Sequence, residues 1–67
     1  MTLDYEDKLE VILDWAENSD LAREKRFDSS TFEEIQKYYE RNGRFTSGQE
    51  NAIDNVYNKW RLKYWKN

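Results

Sequence analysis

The stretch Phe45-Thr46-Ser47-Gly48-Gln49-Glu50-Asn51-Ala52-Ile53-Asp54-Asn55-Val56-Tyr57-Asn58-Lys59-Trp60 decides the fold class. Thr46 and Gln49 stand at capping-box spacing: the threonine side chain accepts from the N–H three residues on, and the glutamine side chain reaches back to the cap. Phe45 precedes the cap, where it packs against the helix pair. Ala52, Ile53, Val56, Tyr57, Trp60 and Tyr64 then recur at steps of three and four, the period of one helical face. The spacing predicts a helix from this cap to Lys63 or beyond, with Trp60 and Tyr64 facing inward.

Working upstream, Glu40-Arg41-Asn42-Gly43 places glycine where a helix ends on a residue with positive φ. Phe32, Ile35 and Tyr39 form the inward stripe of the helix before it, with Tyr38 beside the stripe. Two overlapping capping boxes, Ser30 with Glu33 and Thr31 with Glu34, predict its start. Before that, residues 18–27 form either a short helical turn over the core or an ordered loop. A further helix is predicted from about Leu3 to Glu17, where Tyr5, Leu9, Ile12 and Ala16 make one stripe widened by Leu13 and Trp15. The expected architecture is all-α: a small three-helix domain spanning residues 1–67, its second and third helices forming a helical hairpin. Its expected core is Leu9, Ile12, Ala16, Phe32, Ile35, Tyr39, Phe45, Ile53, Val56, Tyr57 and Trp60.

The segment from Phe32 to Trp60 also resembles a known pattern. Phe32-Glu33-Glu34-Ile35, Tyr39-Glu40-Arg41-Asn42-Gly43-Arg44-Phe45-Thr46, and then Gln49, Ala52, Ile53 and Val56 are similar to the helix-Gly-x-x-Thr-x-x-Gln-helix segment of small proteins and terminal modules of tailed bacteriophages, some attached to DNA-metabolism proteins. Phe45 departs from the leucine of that pattern. The likeness covers under half of the chain and rests on capping and core residues. It implies a phage accessory protein in a bacterial cytoplasm that binds a host or phage protein, and it carries over no catalytic or ligand residue.

Composition narrows the chemistry. With 67 residues the chain is one small domain, and it contains neither cysteine nor histidine. Disulfides, thiolate nucleophiles, Cys/His zinc sites and imidazole-dependent triads are therefore ruled out. Carboxylates alone bind calcium or magnesium in suitable loops, but nothing here has EF-hand spacing, and Asn18-Ser19-Asp20 reads as a helix stop. General acid–base work needs a carboxyl tuned by burial or a fixed neighbour, and the acids fall on surface-type helical positions. No enzyme activity, metal or cofactor is expected. The acidic N-terminal residues do not read as a signal peptide, and no apolar run approaches the roughly 20 residues of a membrane span; a cytoplasmic, non-membrane protein is expected.

Charge and aromatics carry what functional signal there is. Residues 1–20 have a net charge of −6, residues 21–44 of +1 and residues 45–67 of +2. Asp7, Glu10, Asp14 and Glu17 follow helical steps and form an acidic ridge. The ridge is either a solvated face that aids solubility or a docking surface for a basic partner, including a nucleic-acid mimic aimed at a DNA-binding protein. At the other end, Lys59-Trp60-Arg61-Leu62-Lys63-Tyr64-Trp65-Lys66 interleaves cations with aromatics, as single-stranded nucleic-acid binding requires. The same run suits a helix C-terminus, where cations complement the dipole. With Trp60 and Tyr64 assigned to the core, Lys59, Arg61, Lys63, Trp65 and Lys66 remain as candidate contacts. Three Trp, five Tyr and three Phe are more than so short a core encloses, and surplus aromatics are favoured at protein interfaces. The expectation is a non-enzymatic protein-interaction module, such as an accessory factor that binds or inhibits a host protein, with a homodimer as one form of it and single-stranded nucleic-acid binding through the C-terminal run as the alternative.

Overall fold

A computed structural model describes residues 4–65. Four helices follow in order: α1 (Tyr5–Asn18), α2 (Asp20–Glu24), α3 (Ser30–Asn42) and α4 (Ser47–Lys59), then a 3₁₀ turn at Leu62–Tyr64. There is no strand among the described residues. The three expected helices are α1, α3 and α4; the open question at residues 18–27 resolves as the short helix α2.

Local chemistry sets most of the boundaries. Asp4 caps α1 by accepting from the Asp7 N–H at 2.9 Å. Ser19 ends α1 and caps α2, accepting from the Ala22 N–H. Thr46 and Gln49 close the expected box, with the Gln49 N–H donating to Thr46 Oγ1 at 3.1 Å and the Thr46 N–H to Gln49 Oε1 at 2.9 Å. Gly43 ends α3 at φ +69°, a backbone state in which a Cβ is strained.

Two boundaries differ from the sequence expectation. Neither predicted box starts α3. Its cap position is Ser29, without a side-chain capping bond. Asp28 takes the role instead, accepting from the Ser30 N–H at 2.9 Å and from the Ser30 hydroxyl at 2.6 Å. At the other end α4 stops at Lys59 rather than Lys63, because Arg61 adopts a left-handed conformation at φ 51°. That residue resets the helical phase. Leu62 turns into the core at 2 % exposure, and Tyr64, expected inside, stands 60 % exposed.

Packing radiates from α1, which approaches α4 most extensively and also contacts α2, α3 and the 3₁₀ turn. Residues 43–46 connect α3 to α4, each of which packs chiefly on α1, and an open groove lies between the two helices, lined by Ile35, Tyr38, Gln49 and Ala52 among others. Leu9, Ile12, Trp15, Ala22, Phe32, Ile35, Ile53, Tyr57 and Leu62 form the buried core. Trp15, Ala22 and Leu62 were not among the expected core residues. Ala16, Tyr39, Phe45, Val56 and Trp60 were, and they are half-buried at its margin.

Thickness accounts for that margin. The Cα trace measures 32 × 28 × 16 Å, and packed helices lie roughly 8–10 Å apart, so only about two helix layers fit across the short axis. Large rings cannot all be enclosed. They cluster near the two ends of α1 instead. At one end Trp15 sits 5.0 Å from Phe27 and 5.3 Å from Trp60, and Phe27 stacks on Phe32 at 5.8 Å. At the other, Phe45 lies 4.5 Å from Tyr39 and 6.4 Å from Tyr5.

Candidate functional site

The acidic ridge divides once the other helices pack on α1. Asp7 is exposed in the first turn, and its carboxyl is raised above its ordinary value chiefly by the charge of Asp4. Asp14 is half-buried. Its Oδ2 accepts from Trp65 Nε1 at 2.8 Å and its Oδ1 from Asn18 Nδ2 at 3.0 Å. That carboxylate therefore fastens the C-terminal turn to α1. Glu17 stays exposed. Glu10 goes elsewhere, to the rim of a hollow between α1 and α3.

This hollow has a volume of about 410 Å³, within the range of ligand pockets, roughly 300–1,000 Å³. Its walls are Leu9, Tyr39 and Phe45, and its polar groups are Gln36 and three carboxylates, Glu6, Glu10 and Glu40. Spacing on the two helices explains the set. Glu6 and Glu10 are one turn apart on α1, as Gln36 and Glu40 are on α3, so each helix contributes one polar strip beside its buried face. The neighbouring Glu6 carboxylate is the main cause that pushes the Tyr39 phenol above its ordinary value. Among the described residues neither Glu10 nor Glu40 has an ion pair, and none of the carboxylates converge closely enough to ligate a metal ion.

The C-terminal run is rearranged in the opposite sense to its expected exposure. Trp65 was a candidate contact but is half-buried and bonded to Asp14, and Tyr64 replaces it on the surface. Lys59, Arg61 and Lys63 are exposed. Lys59 Nζ lies 5.3 Å from the Trp60 ring centroid and Lys63 Nζ 5.0 Å from that of Tyr64. Arg61, Lys63, Tyr64, Tyr57 and Asn58 border a shallow depression of about 280 Å³. Lys66 lies outside the described residues.

A third polar group ties α1 to α4 and was not evident from residue spacing. Asp54 accepts from Lys8 Nζ at 2.9 Å and from the Tyr5 hydroxyl at 3.2 Å. Lys8 stands between two rings, 5.4 Å from the centroids of both Tyr5 and Tyr57. The Lys8 hydrogen bond holds the Asp54 carboxyl below the ordinary aspartate range, and the Asp54 bond pushes the Tyr5 phenol and the Lys8 ammonium up.

A carboxyl with a depressed folded pKa contributes stability above its unfolded value of about 3.9, and this is lost as pH falls through the folded value. Asp28, lowered by its bonds to Ser30, acts in the same direction. Asp7 acts oppositely, since protonation relieves its repulsion by Asp4. The urea midpoint is expected to fall as pH drops below about 4. Asp54→Asn should flatten that fall and lower stability at neutral pH by about 1 kcal/mol, the side chains of the pair being partly exposed at 15 % and 34 %. Equal acid slopes in the two proteins would remove the Lys8–Asp54 pair from the acid response.

No family model matches the chain, and neither a curated protein nor a solved structure matches it.

Proposed function

We propose that the chain is a non-enzymatic protein-interaction module that meets a basic partner through the acidic side of α1 and α3. The observation that carries this reading is the α1–α3 hollow, where Tyr39 and Phe45 stand among Gln36 and three carboxylates. Such a surface combines an anchor pocket with long-range attraction for a positively charged protein. The likeness of residues 32–60 to phage modules extends the proposal to an accessory factor of tailed bacteriophages, acting in the host cytoplasm on a host or phage protein. That segment contributes the Gly43 stop, the Thr46 cap and core positions, so its role in the proposal is to hold α3 and α4 in place. A second copy of the chain is the competing partner.

The test is affinity capture from a bacterial lysate at two salt concentrations, with and without nuclease, using wild type and Glu10→Lys/Glu17→Lys. A discrete protein retained after nuclease, and weakened about tenfold by charge reversal, supports the reading. Equal capture by both baits overturns the acidic face as its basis.

One observation favours nucleic-acid binding as a second reading. Tyr64 is exposed beside Arg61 and Lys63, a stacking ring next to phosphate-binding cations. In that case an oligo(dT) probe binds with steep salt dependence, and Tyr64→Ala with Arg61→Ala weakens it. Binding that survives both changes removes this surface from consideration.

A further inference from the structure

We infer that the α1–α3 hollow takes a single arginine side chain from the partner protein, which serves as the anchor of the interface. This rests on the protein-interaction reading above and names the chemistry of its central contact. The hollow has room for a long side chain: its volume is about 410 Å³, and it is bounded by α1, α3 and Phe45 of the connection that follows α3. Its lining includes aromatic surface from Tyr39 and Phe45, whose ring centroids lie 4.5 Å apart with planes tilted by 34°, beside the buried Leu9. A guanidinium that reaches the outer face of either ring is attracted to it. The three carboxylates then select for positive charge over a neutral apolar group.

Arginine is preferred over the other cations for geometric reasons. The carboxylates do not converge to the spacing of a metal site, so a compact divalent ion would not satisfy them together. A guanidinium spreads its charge over a plane with five donors, stacks on aromatic rings and pairs with carboxylates in a fork. A lysine ammonium is a compact, strongly hydrated point charge and matches neither the rings nor the spread of oxygens as well. The chain's own Arg44 borders an adjoining cleft with Asp4 and Glu50, and is not part of the lining of the hollow.

The decisive experiment is a ¹H–¹⁵N titration of the whole protein with N-acetyl-arginine amide, and with N-acetyl-lysine amide as the comparison. Saturable shifts at Glu6, Leu9, Glu10, Gln36, Tyr39, Glu40 and Phe45 are expected in the millimolar range, at least about threefold weaker for lysine. Glu10→Gln/Glu40→Gln changes only exposed side chains, and its fold is checked by circular dichroism; it should weaken arginine binding about tenfold. Shifts that do not saturate, that spread along the whole acidic face, or that are equal for the two amides overturn the inference. So do shifts of the same amides on raising the protein concentration alone, which would seat a second copy in the hollow.

The same double variant is then used as bait beside wild type. Arginine binding with capture lost in the variant supports the inference. Arginine binding with undiminished capture overturns the arginine anchor and leaves the interaction reading standing. Arginine binding while wild type captures no protein overturns the interaction reading, and the partner arginine with it.

Discussion

Trp15→Ala is expected to leave the domain largely unfolded at room temperature. Truncating a buried tryptophan costs about 3–5 kcal/mol, and a core of this size rarely supplies more than roughly 3–5 kcal/mol in total. Trp15 is 3 % exposed and is the centre of the larger ring cluster. It meets Trp60 just after α4 and Phe27 after α2, and Phe27 in turn stacks on Phe32 of α3. Removing the indole therefore separates three segments at once and leaves a cavity that a thin domain cannot close without exposing other rings. Trp15→Phe keeps one ring in place and should cost less than half as much. Far-ultraviolet circular dichroism in urea measures both, independently of the lost fluorophore. A Trp15→Ala midpoint equal to that of wild type would show that the cluster contributes no stability and that α1 is held by Leu9 and Ile12 instead.

The parts of this fold that were legible in the sequence are those decided within one or two helical turns. Thr46 and Gln49 bond to each other across three residues, and Gly43 ends α3 through its own backbone freedom, so spacing and residue type identify both. The stripes through Leu9 and Ile12, Phe32 and Ile35, and Ile53 and Tyr57 are likewise periodic and buried. Where several local solutions competed, spacing did not choose between them. Asp28, Ser29, Ser30 and Thr31 are all capping residues in a row, and the bonds that Asp28 makes to Ser30 settle the start of α3. The end of α4 carried no glycine or proline, and an arginine in the left-handed region has no sequence signature.

The candidate site was legible only as charge. A helical wheel puts Asp7, Glu10, Asp14 and Glu17 on one side of α1, but their fates depend on which element arrives beside each. Glu10 meets Tyr39 and Glu40 across the hollow, while Asp14 meets Trp65 from 51 residues away. Neither relation has a spacing. Tyr39 and Phe45 were read as core because they are aromatic and in phase. They are half-buried because they also line the hollow, so one apolar signal covered both the packed side and the open side of these rings. Lys8, the one base among the first 20 residues, was the available hint that a carboxylate from elsewhere would come to α1; it found Asp54.

Leu62→Ala tests the point at which sequence and structure part most sharply. Were α4 to continue to Lys63, Leu62 would lie about 200° around the helix from Trp60, facing solvent. Its truncation would then fall within about 0.5 kcal/mol of wild type, as surface changes usually do. Tyr64 would sit one turn beyond Trp60 on the inner face, and Tyr64→Ala would be the damaging change. In the structure Arg61 reverses the phase, Leu62 is 2 % exposed and packs with α1 and α4 through the 3₁₀ turn, and Tyr64 is 60 % exposed. The expected losses are therefore about 2–4 kcal/mol for Leu62→Ala and no more than about 0.5 kcal/mol for Tyr64→Ala, measured as urea midpoints side by side. The indole N–H resonance of Trp65 gives an independent reading, because its bond to Asp14 depends on the turn that Leu62 anchors. It should move toward its solvent-exposed position in Leu62→Ala and stay in place in Tyr64→Ala. The reverse order of costs would mean that the helix runs on, that Tyr64 belongs to the core, and that the exposed ring invoked for nucleic-acid binding is not available.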